Sequence, residues 1–300
     1  NLTGMKTFAS DWSKDDEEKR MPCMLDPVGK AQLPGKLEIP FPKEAQNSAI
    51  GVSTNRWAAP TTLQELAEIL KENHDVRLVH ANTSYAIYKK ECLPSTFYAD
   101  VRFIAELNER NKITEDHILL SASTTYSSFI EILSKYIETG QDIKKKSQSD
   151  VTALEALDYM ARRTAGRIVR NAATIGGNTM LVLKHIPKGT GEPFPSDLFT
   201  VLFALNVKIS YFQLEKNGQF KAYAKTAEEL LEAIKTDSKL ADTIVLSSYE
   251  IPLKDSHANV FAQKVALREV NAHSIVNATT SFKISDQYIT ESAVIALGGI

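Results

Sequence analysis

The chain has 300 residues, 43% hydrophobic and 24% charged, the composition of an ordinary globular protein of roughly two domains. Its net charge of -2 gives no electrostatic case for binding nucleic acid or an anionic membrane. No apolar run approaches the ~20 residues of a membrane span, and its 2 cysteines are too few to hold an iron–sulfur cluster, which takes about four.

Residues 1–50 read as a linker. Asp15-Asp16-Glu17-Glu18-Lys19-Arg20 is a solvated charge run, and Pro22, Pro27, Pro34, Pro40 and Pro42 break any regular element. Cys23 and Cys92 could form one disulfide, but nothing in the sequence favours it, and two free thiols suit a reducing compartment and a cytoplasmic location. Order is expected to begin near Thr61. Thr61 and Gln64 make a candidate capping box, and Leu63, Leu66, Ala67 and Leu70 share one helical face. Val76 to His80, Phe97 to Val101 and Ile118 to Ser123 read as strands. A helix from Ser127 to about Thr139 follows, with Gly140 as its C-cap.

Lys144-Lys145-Lys146 reads as an exposed, solvated turn. A helix from about Val151 to Arg163 leads into Arg170-Asn171-Ala172-Ala173-Thr174-Ile175-Gly176-Gly177-Asn178. Adjacent glycines there permit a tight turn and a close approach to a ligand. Asp197 to Leu205 reads as a short helix, with Ser196 as N-cap and Asn206 in the left-handed position after its end. Val207 to Phe212 is a predicted strand, Ala227 to Lys235 a helix and Thr243 to Tyr249 a strand. Beyond Val260 the pattern predicts strand and helix again. The chain starts at Asn1 and stops at Leu297-Gly298-Gly299-Ile300, on what reads as a strand end, as expected of a piece of something longer.

A Gly-x-Gly-x-x-Gly fingerprint and a Walker loop are both absent. A diphosphate would have to rest on turn amides elsewhere. Two segments qualify: the glycine pair, and Leu78-Val79-His80-Ala81-Asn82-Thr83-Ser84, where a strand runs into small polar residues whose amides can form an anion-binding nest. Each is also ordinary turn chemistry. Asp197 is equally an acid favoured in a first helical turn. His74, His80, His117, His185, His257 and His273 lack metal-ligand spacing, so no metal site is expected.

Taken together, the glycine segment, the Val79 to Ser84 turn and Phe194-Pro195-Ser196-Asp197-Leu198 closely resemble the FAD-binding domain of the molybdenum hydroxylases, the xanthine dehydrogenase and aldehyde oxidase family. The resemblance runs from about Trp57 to the C-terminus. Arg268, Asn271-Ala272-His273 and Ile275-Val276-Asn277-Ala278 lean toward aldehyde oxidase. It implies an α+β fold: a two-lobed FAD-binding domain over 51–255 (lobes about 51–145 and 146–255), then the start of a smaller α+β C-terminal domain over 256–300. It further implies that Val79, His80, Ala81, Asn82, Thr83 and Ser84, with Thr174, Gly176, Gly177 and Asn178, wrap the diphosphate and ribityl of FAD. Asp197 falls at the family's Ser-Asp-Leu aspartate, Leu246 (after Val245) where an apolar residue lies near the flavin, and Lys264 where a basic residue can approach it.

The implied role is electron transfer from an iron–sulfur cluster through FAD to oxygen or NAD, with no catalytic acid or base in this chain. Iron–sulfur and molybdenum centres belong to other domains or chains, and a homo-oligomer is expected. Two alternatives stand beside it: a flavin-free structural subunit that keeps the fold, and a free-standing flavoenzyme. Ala81 and Ala86 in place of glycines, and Thr164 in place of an aromatic residue, are the features on the flavin-free side. If position 81 needs a left-handed backbone, alanine costs about 1–2 kcal/mol there.

Overall fold

The computed structural model describes residues 56–73, 75–84, 97–108, 111–114, 116–142, 148–186, 194–253, 259–284 and 290–299. All of them lie in one compact unit, Ala45–Ile300. The linker expected over 1–50, both cysteines, Ala86 and the Lys144–Lys146 turn lie outside the described residues.

A small parallel sheet comes first. β1 (Arg56–Ala58), β2 (Val76–Val79) and β3 (Phe97–Asp100) are ordered β1-β3-β2, and every residue of β3 is buried. Helix α1 (Leu63–Glu72) presents Leu63, Leu66 and Ala67 to this lobe. Its cap is one residue later than the sequence pattern implied. Thr62 accepts from the Glu65 amide, while the Thr61 amide donates to the Glu65 carboxylate at 2.7 Å.

A second, antiparallel sheet has the order β4-β5-β8-β6-β7. Its strands are β4 (Lys112–Ile113), β5 (His117–Ser121), β6 (Lys208–Leu214), β7 (Phe220–Thr226) and β8 (Ile244–Pro252). One face carries Ile118, Leu120, Ile209, Tyr211, Leu246 and Tyr249 into the main core. Five helices supply most of the rest of that core: α2 (Tyr126–Asp142), α3 (Gln148–Arg163), α5 (Ile175–His185), α6 (Asp197–Ala204) and α7 (Ala227–Thr236). The opposite face turns Val245, Phe212 and Phe220 toward α1 and the parallel lobe. The short helices α4 (Arg167–Arg170) and α8 (Leu240–Thr243) are connectors.

Alternation in β8 breaks at one point. Ser210 pairs with Ser248 but Tyr211 pairs with Leu246, so Ser247 is bulged out of the ladder. An extra residue reverses side-chain parity. That is why Leu246 and Tyr249, three positions apart, both enter the helical core. The freed Ser247 carbonyl accepts the Ala122 amide at 2.7 Å.

A third sheet, β11-β10-β9, is antiparallel and built from β9 (Asn259–Ala266), β10 (Ser274–Ile284) and β11 (Thr290–Gly298). Its inner face is small or polar. Val260 and Ala262 pack at the main core, and Thr279, Ser281 and Ala296 are buried. The strand-and-helix pattern expected beyond Val260 is therefore corrected: among the described residues, this region is strand and loop.

Gly140 does not cap the preceding helix, because α2 continues through it to Asp142. The cap at Ser196 and the left-handed Asn206 (φ 51°) are as expected. Strands β1, β4 and β7 have no counterpart among the strands expected from sequence. Among the described residues, no helix is long and apolar enough to cross a membrane, and no group of side chains could hold a metal ion.

A cleft between the strand-end turn and the glycine helix

A cleft of about 1240 Å³ opens between the end of β2 and the start of α5. Val79, His80, Ala81, Asn82, Thr83 and Ser84 line it from one side. Thr174, Gly176, Gly177 and Asn178 line it from another, with Asp197 and Leu246 beside them. Of the residues singled out in sequence, only Lys264 is not part of the lining.

The glycine segment is not a turn but the first turn of α5. Thr174 is its N-cap, and its hydroxyl accepts the Gly177 amide at 3.0 Å. Neither glycine has positive φ. Gly176 is needed for a different reason. Its amide donates to the Ala122 carbonyl at 3.0 Å, and a Cβ built there would lie 2.7 Å from that oxygen and 2.9 Å from the Ala122 methyl. Gly177 is exposed on the cleft wall, and an added Cβ would meet only the Thr174 hydroxyl, at 3.1 Å.

The opening amides of α5 are also committed. Ile175 donates to the Thr124 carbonyl and Asn178 to the Thr174 carbonyl, so this helix start does not present free N–H groups as an anion-binding helix would. Asn178 instead accepts from the Ser196 hydroxyl at 2.5 Å, joining α5 to the cap of α6.

The turn after β2 is different. Asn82, not Ala81, takes the left-handed conformation (φ 53°). Asparagine visits that region far more readily than alanine. The strain expected at Ala81 is therefore absent. Among the described residues, two buried polar atoms in this turn, His80 Nδ1 and Asn82 Oδ1, have no hydrogen-bond partner. Buried polar groups in native proteins are nearly always paired. An orphaned ring nitrogen and an orphaned amide in one cleft-lining turn are what a polar ligand would satisfy.

Below that turn, Asp100 is buried at the end of β3 and receives Arg102 in a forked pair, Nε at 3.0 Å and Nη2 at 2.6 Å. Burial pushes the His80 imidazole below its usual range. Arg102 adds to that effect and Asp100 partly opposes it.

Two further features were missed in sequence. Arg170 donates Nη1 to the carbonyls of Arg162 (2.8 Å), Thr164 (3.1 Å) and Ala165 (2.8 Å), fixing a cleft-lining loop in which Ala165 itself is left-handed (φ 51°). Buried Ser274 and Asn277 on β10 both donate to Asp197 Oδ1, the latter at 2.9 Å. The second arrangement leaves no local sequence signal, since its partners lie 77 and 80 residues apart.

Two measurements on ligand-free protein test this geometry. Gly176→Ala should destabilise the chain by about 1–3 kcal/mol, because a methyl forced onto a backbone carbonyl outweighs the helix propensity that alanine adds. Gly177→Ala should be close to neutral. Urea denaturation of the pair decides it, and equal stability would remove the close-approach argument. For His80, the lowered folded-state pKa means that the unfolded chain binds the proton more readily. Its contribution to stability is then complete above the unfolded value of 6.5 and falls away as pH drops toward the folded value. The urea midpoint should decline more steeply from pH 7 to 5.5 in wild type than in His80→Leu. Parallel pH profiles would contradict this.

Comparison with known proteins places the chain in a family. The family model for the FAD binding domain in molybdopterin dehydrogenase matches residues 50–254. An indole-3-acetaldehyde oxidase of Zea mays is 27% identical over 98% of this chain, yet the match takes in only 21% of that enzyme. A xanthine dehydrogenase/oxidase of Gallus gallus is 29% identical over 84% of this chain and 17% of its own length. The chain thus spans about a fifth of the curated relatives it matches. Among solved structures, carbon monoxide dehydrogenase from Hydrogenophaga pseudoflava superposes with TM-score 0.58 at 16% identity, covering 81% of this chain and 73% of that one. Quinoline 2-oxidoreductase from Pseudomonas putida 86 does so with TM-score 0.55 at 20% identity, with the same coverage. At these identities the likeness is one of fold. With its family model spanning the parallel lobe, the five-stranded sheet and the cleft between the β2 turn and α5, the chain belongs to the FAD-binding domains of the molybdopterin dehydrogenases.

Proposed function

We propose that this chain is the FAD-binding electron-transfer module of a molybdenum hydroxylase, taking electrons from an iron–sulfur cluster on another domain and delivering them to oxygen or NAD. The observation that carries this reading is that segments nearly a hundred residues apart in sequence, Val79 to Ser84 and Thr174 to Asn178, converge on one cleft. The cleft exceeds the ~300–1,000 Å³ of ordinary ligand pockets, as an extended dinucleotide requires. The residues present fit the cofactor. His80 and Asn82 offer unpaired polar atoms at the strand-end turn, Gly177 leaves its wall open, and Leu246 supplies apolar surface.

When bound, FAD supplies the redox chemistry, and the protein's part is binding, orientation and electrostatics. In this reading the β2 turn and Asn178 hold the polar chain of the cofactor, Leu246 packs near its ring, and Asp197 accepts a hydrogen bond. None of them acts as a general acid or base. The FAD-binding domain occupies 51–255, with 256–300 opening a C-terminal domain. The partners are the iron–sulfur and molybdenum domains of the same enzyme, in a cytoplasmic homo-oligomer. The flavin-free reading loses one of its supports, because Ala81 carries no backbone strain.

Purified protein should show the visible absorbance bands of flavin, either as isolated or after addition of FAD. Acid precipitation should release all of it, since the two cofactor-wrapping segments contain no cysteine and His80 as their sole histidine. Flavin that stays with the precipitate would refute non-covalent binding. Protein that takes up no flavin under any condition would favour the structural subunit. Gly177→Val should abolish flavin binding while the melting temperature stays within a few degrees of wild type. The reason is steric: the branched side chain projects from an exposed position on the cleft wall. Full occupancy in that variant would overturn the site.

A further inference from the structure

Lys264 stands behind the cleft rather than in it. Its side chain is 2% exposed, and its ammonium group donates to Asp197 Oδ2 at 2.6 Å, the Arg163 carbonyl at 2.8 Å and the Ala272 carbonyl at 2.9 Å. An ammonium has three protons, and all three are used. A direct bond from Lys264 to a ligand is therefore not available in this arrangement.

Its three partners come from three different places. Arg163 ends α3 and leads into the Thr164-Ala165 loop, which lines the cleft. Ala272 belongs to the β9–β10 connection and also lines it. Asp197 opens α6 and lines it as well, 7% exposed. Ser274 and Asn277 complete the anchorage of the carboxylate from β10. A carboxylate offers more acceptor positions than these three donors fill. Asp197 therefore remains able to accept from a ligand while its orientation is fixed from behind. The packing leaves little slack, since a Cβ at Gly298 would lie 2.5 Å from the Asn277 amide oxygen.

We propose that Lys264 is a positioning residue that acts on the cofactor through Asp197, its two carbonyl contacts serving to hold the ammonium in place for that carboxylate, so that the C-terminal sheet becomes part of the binding site. This rests on the reading that the cleft holds FAD. Its distinctive consequence is coupling: once Asp197 has lost its charge, Lys264 has nothing left to orient.

The experiment is a double-mutant cycle on the whole chain, with FAD affinity and the visible spectrum of bound flavin as readouts, well below the melting temperature. Lys264→Met and Asp197→Asn should each weaken FAD binding about tenfold, and the double variant should be no weaker than Asp197→Asn alone, the non-additivity of residues in one network. All three should shift the flavin spectrum alike. Losses that add, or a lowered melting temperature with unchanged affinity in Lys264→Met, would overturn the proposal.

If either single change unfolds the protein by stranding a buried charge, two other variants carry the test. The double variant removes both charges together. Lys264→Arg keeps the charge but cannot reproduce a three-way ammonium geometry. Both should fold with weakened FAD binding. Wild-type affinity in either, or a double variant that cannot fold, would count against the proposal, the last by making the pair a requirement of the fold rather than of the cleft. Wild-type protein that takes up no FAD would instead remove the reading of the cleft itself.

Discussion

Gly176 packs directly against the Ala122 carbonyl, and the position of the glycine helix depends on that approach. A bulge at Ser247 frees a carbonyl in β8, that carbonyl takes the Ala122 amide, and the Ala122 carbonyl takes the Gly176 amide. These are three links in one line from the middle of the large sheet to the first turn of α5. Any side chain at position 176 would break the last of them. Tyr249 braces the same helix from below, its hydroxyl bonded to Thr179 at 2.8 Å in a fully buried setting that pushes its ionisation well above the ordinary tyrosine range. The helix start is thus set by the sheet, and the cleft wall follows from the helix start.

The buried ion pair has a different character. Taking Lys264 and Asp197 out of water costs several kcal/mol per ion, which their mutual attraction repays only when every remaining proton and lone pair finds a partner. Here two carbonyls take the other ammonium protons and a hydroxyl and an amide donate to the carboxylate, which keeps an acceptor position open, so the pair is not fully compensated. An apolar pair of similar volume would cost less to bury, so stability alone does not explain the arrangement. Fixing the direction of one carboxylate on a cleft wall does. The small inner face of the third sheet serves the same end: Thr279 donates to the Thr200 hydroxyl at 3.3 Å, letting β10 lie close enough to α6 for Ser274 and Asn277 to reach Asp197.

What was legible in the sequence was local. Ser196 before an apolar helix, Asn206 after it and the amphipathic face of α1 are decided by neighbours within a turn, and they read correctly. Strand β1 is three residues long and exists because Phe97, Tyr98 and Ala99 lie beside it, which no local pattern can report. Gly140 failed as a stop signal because a glycine ends a helix only where the chain takes up the left-handed cap, and here α2 runs on. The glycine pair lines the cleft, but as part of a helix and not of a turn. Glycine freedom was assigned to a turn, whereas the structure uses one glycine for close packing in a helix and the other to keep a wall clear. Lys264 was placed near the cofactor by resemblance, and only three dimensions show that its donors are all committed.

The two sides of the cleft therefore divide the work unequally. In a nucleotide fold of the Gly-x-Gly-x-x-Gly kind, the helix start offers unpaired amides to the phosphates. Here the start of α5 keeps its amides for Thr174, Thr124 and Ala122, and so serves as a rigid, uncharged wall. The unpaired polar atoms lie across the cleft at His80 and Asn82, above the Asp100–Arg102 pair that holds the end of β3. In the proposed reading, polar recognition falls chiefly to the strand-end turn, with Asn178 as its counterpart on the glycine helix, and the rest of that helix supplies shape. Alanine at position 81 fits this backbone, because the turn's left-handed residue is Asn82, and the turn's unpaired polar groups come from side chains that a glycine one position earlier would not replace.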